Sequence, residues 1–457
     1  MWKHLEKIFT VFALLFFAGA FAQLLYYQGG QVLDEKPQNA ALAAIQKQTS
    51  SENSDPTQAK SAMLVAQIVV YSVVAVLLII HRRQAMLYLW NTKLLWAIVA
   101  LAFVSVLWSD VPGFALRRCV NLAATSGFGL YLAVRYSPRQ LFRLLGWTVI
   151  VAIVCSAIVV LLRPDIGTET ANEAWRGIFA QKNTLGRFMV LGVLVFLFLA
   201  VDSKEYRRAH CVAAVLCSGM ILAARSATSA LAVPILFVLI WLFALARQRS
   251  LARVFVTASL AVIGIACGLM LFADTSDFVA LIGRDTTLTG RQEIWSVVLT
   301  KIMAHPWLGY GYSSFWLGME GQSSADVWAI LRWPVPHSHN GFLDLTEELG
   351  VVGLGLFLVG LVVSARCGLY WARSQQAVIG LWPLAYLAFM VVFNLSEGSI
   401  LRQDNLFWVL YIATSVFVVN EAKHLLPDLS QPLVRAAGTS LIPDYAQVRS
   451  AKESVGL

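Results

Sequence analysis

Charge is what this sequence lacks most. Only 13% of its 457 residues are Asp, Glu, Lys or Arg, about half the roughly 25% of a soluble domain. With 58% hydrophobic residues and a mean hydropathy of +0.68, the shortage excludes an ordinary soluble enzyme and points to a polytopic membrane protein. Cysteine is sparse too. Cys119, Cys155, Cys211, Cys217, Cys267 and Cys367 lie in or beside apolar segments, with no CxxC or Cys/His ligand spacing. They read as structural filler, which leaves no basis for a disulfide framework or a cysteine-bound metal. No P-loop, dinucleotide fingerprint or solenoid repeat is present, so nothing calls for a nucleotide or cofactor.

What remains is a series of apolar windows. "IFTVFALLFFAGAFAQLLYY" and "VFVTASLAVIGIACGLMLFA" each have the ~20 residues a helix needs to cross hydrocarbon. About twelve spans are predicted, near 8–27, 63–80, 92–108, 117–134, 142–162, 184–201, 210–225, 229–246, 254–273, 351–370, 378–395 and 405–420. The first follows Lys3 and Lys7 but is too long for a signal-peptide core, so it reads as a retained helix. Starting inside, alternate loops carry Arg82, Arg83 and Lys93, then Arg135, Arg139 and Arg143, then Lys204, Arg207 and Arg208. Arg247, Arg249 and Arg253, then Arg366 and Arg373, continue the series. All fall on one face, which the insertion bias makes cytoplasmic, together with both termini. The net charge of +9 is thereby explained without nucleic acid.

The expected fold is therefore an all-α polytopic membrane protein with about 12 transmembrane helices and a large folded periplasmic loop. Residues 1–62 hold the first helix and a polar, solvated loop, and 63–273 hold helices two to nine. The large loop is 274–350, helices ten to twelve span 351–420, and a cytoplasmic tail covers 421–457. Trp295, Trp307, Tyr310, Tyr312, Phe315, Trp316, Trp328 and Trp333 make the large loop too aromatic for a disordered linker, so short helices are expected there.

Outer-face arginines break the charge pattern. Arg176, followed by Lys182, Asn183 and Arg187, sits in "EAWRGIFAQKNTLGR"; Arg225 is in "AARSATSA", Arg291 in "TLTGRQEIW" and Arg402 in "SEGSILRQDN". Singly, each is more often a snorkelling or locally paired residue. Four at one depth favour an anionic group, and the guanidinium fork suits phosphate. "PVPHSHNGFLDLTEELG" adds His337 and His339. An i, i+2 pair with no further ligand nearby is a poor metal chelator, whereas an imidazole can take a proton from an attacking hydroxyl. Asp344, Glu347 and Glu348 are candidates to orient a ring nitrogen, and equally for a solvated helix start; Asn340 is also a candidate helix cap.

"HNGFLDLTEELGVVG" resembles the signature of the O-antigen ligase and O-antigen polymerase superfamily: His, then Asn, Ser or Gln, nine residues, Gly, two residues, and Gly, Thr or Tyr. His339, Asn340, Gly350 and Gly353 fill it, while His337 fails because Glu348 stands eleven residues on. "RGIFAQKNTLG", "GRQEIW" and "HPWLGYGYSSFW" extend the likeness over roughly Leu141 to Asn420, and Arg291 with Trp295, where ligases are described with Arg-x3-Leu, is nearer the exopolysaccharide polymerase branch.

The resemblance implies a metal-independent inner-membrane glycosyltransferase working on the periplasmic side. Its donor is a glycan on undecaprenyl diphosphate, its acceptor a glycan or lipid-linked glycan, and other polysaccharide assembly proteins are candidate partners. It casts His339 as the base, Arg225 and Arg291 as catalytic diphosphate ligands, and Arg176 as a further ligand. Lys182, Asn183, Asn340 and, without a motif, Arg402 are expected to bind substrate. Polymerisation of repeat units is the first expectation, ligation to lipid A core or a protein the second. A transporter is less favoured, because the spans themselves are poor in polar residues.

Overall fold

The structure is a computed structural model describing residues 2–20, 56–169, 173–247, 289–317, 321–333 and 335–425. The span expected at 254–273 lies outside the described residues, as do most of the polar 28–62 segment and the tail beyond 425. The chain divides into two units, Met1–Ala422 and Lys423–Leu457, and the helix bundle with its polar loops belongs to the first. Among the described residues the regular structure is helical, with one isolated bridge between Thr168 and Trp175.

The helices run α1 (Trp2–Phe17), α2 (Pro56–Ile80), α3 (Arg82–Asn91), α4 (Lys93–Val104), α5 (Pro112–Arg135), α6 (Pro138–Leu162) and α7 (Lys182–Asp202). After them come α8 (Arg207–Ala223), α9 (Ala227–Arg247), α10 (Thr289–Ala304), α11 (Gln322–Leu331), α12 (Gly341–Ser374), α13 (Trp382–Asn394) and α14 (Leu406–Leu425). Six of them, α2, α6, α7, α9, α12 and α14, are long and apolar enough to cross a bilayer. The bent pair α3–α4 makes seven if taken as one span. The expected spans at α1, α5, α8 and α13 are helices as well but outside that group: α5 opens with Arg117, Arg118 and Asn121, and α13 has only 13 residues.

One expected loop is a helix. Arg82, Arg83 and the residues to Asn91 form α3, bent 91° from the next helix. The break falls at Thr92, whose Oγ1 donates to Tyr88 O at 2.7 Å and accepts from Trp96 Nε1 at 3.1 Å. Thr92 N also donates to Tyr88 O and Leu89 O, closing α3 at the break.

Burial orders the bundle. In α7 and α14, 83% and 78% of the apolar windows are buried within protein, against 17% in α2 and α9, so the first two form the core and the last two present their surface outward. At the end away from the histidines, Arg135 at the close of α5 grips Glu6 of α1 with both forks, Nε to Oε1 at 2.7 Å and Nη2 to Oε2 at 2.8 Å. Tyr131 Oη adds a third bond to Glu6 at 2.8 Å. Arg135 thus works as a helix clamp.

Within 289–340 the described residues include the helices α10 and α11. Ile294, Val298, Ile302 and Val335 form a small core of their own, covered by Trp295, Trp316, Trp328 and Trp333.

Candidate active site

The histidines stand on a short irregular loop, 335–340, that leads into α12. Aromatic donors hold it from the side: Trp328 Nε1 donates to Val335 O at 2.8 Å and Trp295 Nε1 to Ser338 O at 2.9 Å. From below, Asp344 Oδ1 accepts both Ser338 N, at 3.0 Å, and Ser338 Oγ, at 2.5 Å. Asn340 caps α12, its Oδ1 accepting from Phe342 N at 3.0 Å and Leu343 N at 3.3 Å. Between these anchors His339 adopts a left-handed conformation, φ 54°, a form uncommon for a side-chain-bearing residue and recurrent at functional sites. Removing the lower anchor is expected to loosen the loop. Asp344→Ala should cost about 1–3 kcal/mol, because it strands the buried Ser338 amide. A melting curve in detergent checks the cost, and a larger fractional loss of activity than of folded protein would show that loop geometry is what suffers.

The backbone N–H of His339 donates to His337 Nδ1 at 3.1 Å, and the two rings lie 4.1 Å apart. An accepting Nδ1 fixes the tautomer, so neutral His337 carries its proton on Nε2. Lost hydration, reinforced by His339 and Arg402, pulls the His337 pKa down to about 3. The carboxylate beside the rings is Glu397, from the turn between α13 and α14. One donor atom from each of His337, His339 and Glu397 falls within 4.8 Å of the others. That turn is held by Asn394, whose Oδ1 accepts from Ser399 N at 2.7 Å and Ile400 N at 3.2 Å. Asp344, Glu347 and Glu348 stand elsewhere: the first is engaged by Ser338, and the Glu347 carboxylate is wholly buried with no hydrogen bond.

Glu397 corrects the premise that the histidine pair has no acidic neighbour. It arrives from nearly sixty residues downstream, where local spacing cannot reveal it. Two imidazoles and a carboxylate could hold a cation, but the surroundings argue for a negative guest. His337 Nδ1 is already engaged, and Arg187 and Arg402 both act electrostatically on His337.

The expected arginines have different fates. Arg176 is fully buried and donates from Nε to Ile166 O at 2.8 Å and from Nη2 to Asp165 O at 3.4 Å, fastening a backbone turn rather than facing a cleft. Arg225 is exposed, in a left-handed conformation with φ 46°, beside Ser226. Arg291 lies one helical turn before Trp295, whose indole holds the histidine loop. Lys182 pairs with Glu169, Nζ to Oε2 at 3.1 Å. Asn183 reaches the site directly, donating to Glu397 Oε1 at 3.3 Å and accepting from Ser226 Oγ at 3.1 Å.

One turn further along α7 is a residue absent from the expected set. Arg187 is buried, its guanidinium lies 4.2 Å from the Phe407 ring, and Nε and Nη1 have no hydrogen-bond partner. Its i, i+4 spacing from Asn183 was the available signal. A buried cation with unmet donors next to Glu397 and Arg402 suits an anion.

Comparison with known proteins fits this geometry. Residues 212–358 match the O-antigen ligase family. The matched stretch contains Arg225, Arg291, His339, Asn340, Gly350 and Gly353, while Arg176, Lys182, Asn183, Arg187, Glu397 and Arg402 lie outside it. The chain is 28% identical over 294 residues to the exopolysaccharide production protein ExoQ of Rhizobium meliloti, covering 61% of this chain and 64% of that protein. Proteins of Rickettsia typhi and Rickettsia conorii, provisionally named polysaccharide ligases, are 42% and 43% identical over 67 residues, 14% of this chain and 16% of theirs. The likeness to the O-antigen ligase family thus lies in residues 212–358 of a chain with several helices apolar enough to cross a membrane, and the chain spans just under two thirds of the ExoQ protein's length and a smaller share of the Rickettsia proteins'.

Proposed function

We propose that this protein is a polysaccharide polymerase of the bacterial inner membrane, spanning it about twelve times with both termini in the cytoplasm. It joins repeat units carried on undecaprenyl diphosphate to a sugar hydroxyl on the periplasmic side, without a metal. The observation that carries the reading is the placement of His339 beside His337 and Glu397, with the cations Arg187 and Arg402 close by.

In this mechanism the acceptor hydroxyl attacks the anomeric carbon of the donor sugar as His339 takes its proton. The bond from that carbon to the diphosphate oxygen breaks, and the departing negative charge is met by Arg225 and Arg291, while Arg402 binds the saccharide. Arg176 supports the site through the turn it fastens, and Lys182, Asn183 and Asn340 shape the substrate edge. Inversion at the anomeric carbon is expected, because attack is direct. His337, neutral with its proton on Nε2, donates a hydrogen bond without adding charge.

That role has a pH consequence. In the unfolded chain the ring of His337 takes a proton near its ordinary pKa of about 6.5, while the folded site keeps it neutral down to about 3. Its contribution to stability is therefore complete above pH 6.5 and lost as pH falls toward 3, at up to about 1.4 kcal/mol per pH unit. Comparing melting temperatures at pH 7 and pH 5, the drop should be smaller in His337→Gln than in the wild type. Equal drops would mean the ring is not held neutral.

The reading itself is tested in a deletion strain by following surface and lipid-linked glycans. Single lipid-linked repeats accumulating while polymer disappears supports polymerisation. Long lipid-linked polymer without transfer to a final acceptor would replace it with the ligase reading, which the family description and the Rickettsia names favour. Failure of repeats to reach the outer face would point to a transporter.

A further inference from the structure

Beside the histidine loop is a polar cavity of about 310 Å³, at the small end of the range of ligand sites. Its charged walls are Arg118 near the start of α5, Glu348 of α12, and Arg402 of the turn before α14. Phe114 and Trp316 supply ring surface, and Pro336, the residue before His337, forms the wall shared with the histidine loop. Apart from Arg402 and Glu348, the latter a candidate to orient a histidine nitrogen, none of these residues belongs to the expected site.

The walls are fixed before any ligand enters. Ser109 and Ser314 share a hydrogen bond at 2.7 Å, pinning the strand of chain that carries Ser313 and Trp316. Tyr312 Oη lies 2.7 Å from Leu401 O and 2.6 Å from Gln403 Oε1, which ties the same segment to the turn bearing Arg402. Arg118 rests over the Phe114 ring at 4.8 Å. Neither Arg118 nor Arg402 forms a salt bridge with Glu348.

The mixture of groups selects a guest. Planar polar side chains with aromatic faces suit a sugar ring, whose edges carry hydroxyls and whose face is apolar. A carboxylate in the wall disfavours a diphosphate, which would crowd Glu348 with at least two negative charges. Two guanidiniums line the cavity beside a single glutamate side chain, and guanidinium pairs bidentately with a carboxylate.

We propose that this cavity is a glycan subsite that recognises an acidic sugar, a pyranose bearing one carboxylate, within the saccharide being transferred or extended. Arg118 and Arg402 hold the carboxylate, Glu348 and Gln403 accept and donate to hydroxyls, and Trp316 and Phe114 cover the ring. The subsite determines which repeat unit is joined, and it rests on the glycosyl-transfer reading.

The test uses full-length protein in lipid nanodiscs with the lipid-linked repeat unit purified from its own host. Half of that material has its sugar carboxyls chemically reduced to alcohols. Wild type should transfer the carboxylated unit at least about tenfold faster, and in Arg118→Gln that ratio should collapse to within about twofold, with Arg118→Lys intermediate. The proposal is overturned if the repeat unit has no acidic sugar, or if wild type uses both forms equally. It also falls if Arg118→Gln slows both forms in step and keeps the ratio, the result expected if the cavity holds the diphosphate or merely supports the fold. Should wild type transfer neither form, the glycosyl-transfer reading fails. The subsite is then judged by binding of a glucuronate-containing oligosaccharide against its reduced form, measured by ligand-observed NMR on wild type and Arg118→Gln. A carboxylate preference lost in the variant keeps the subsite, and equal binding removes it.

Discussion

His339→Asn should lower the rate of glycan transfer by about a hundredfold to ten-thousandfold, the range for losing a general base, while leaving the protein folded. Asparagine is the informative replacement because the position is left-handed, φ 54°, and Asn tolerates that conformation where Ala does not. The loop anchors do not use the imidazole of His339: they are Trp295 to Ser338, Trp328 to Val335 and Ser338 to Asp344. Loss should therefore fall on turnover more than on substrate affinity, with the melting temperature little changed. Measured in nanodiscs with purified lipid-linked repeats, a variant that keeps full turnover would remove His339 as the base. Glu397 would then be the group to examine, since it is the carboxylate adjoining both rings. Its hydrogen bond from Asn183 and the nearby Arg187 suggest instead that it balances charge and keeps the rings in place.

The sequence displayed this site unevenly, for reasons of distance. Asn340 was readable as a helix cap because capping depends on residues two and three ahead, and the structure uses it so. Helices among the described aromatic residues were readable because rings such as Tyr312 and Phe315 are costly to leave in water, and both are buried. The choice of His339 over His337 came from motif spacing alone, and its physical counterpart is the left-handed turn at His339 with its N–H donated back to His337. Hidden were the features that depend on tertiary meeting. Glu397 reaches the histidines across three helical segments, and Arg176 turns inward to carbonyls of Asp165 and Ile166. Arg187 was named with the basic residues after Arg176 but given no role, although it lies a single turn beyond Asn183. Hydropathy located the long apolar helices, but it could not show that the basic segment 82–91 would itself be a helix, bent 91° from the next.

Gly350→Ala should be the most destabilising single-methyl change in the described part of the molecule. Gly350 interrupts α12 with φ 64° and ψ −170°, a region open almost only to glycine, at a strain of about 1–3 kcal/mol for another residue. A Cβ there would also lie 2.1 Å from Trp307 O and 2.5 Å from Leu308 N, both backbone atoms. Relieving that overlap adds about 1–3 kcal/mol. The break exists because two helix ends are satisfied by one intruding segment. Tyr310 N and Gly311 N donate to the carbonyls of Glu347 and Glu348, each at 2.9 Å, closing the first half of α12. Val351 N donates to Pro306 O at 2.8 Å and Val352 N to Trp307 O at 3.3 Å, opening the second half. Residues 306–311 thus cap one helix at its C-terminus and the next at its N-terminus. This explains why "HPWLGYG" and the first glycine of the histidine signature occur together: each segment supplies the hydrogen bonds the other lacks. Forcing a side chain between them should separate the aromatic segment from the helix that presents His339, so that activity fails along with stability. Gly355→Ala is the matched control, since nothing lies within 4 Å of its added carbon and a helix-interior alanine is favoured by roughly 0.5–1 kcal/mol. Melting curves of the two variants in one detergent should therefore move in opposite directions. If Gly350→Ala melts within about a degree of wild type, the reciprocal capping is not what holds the histidine loop in place.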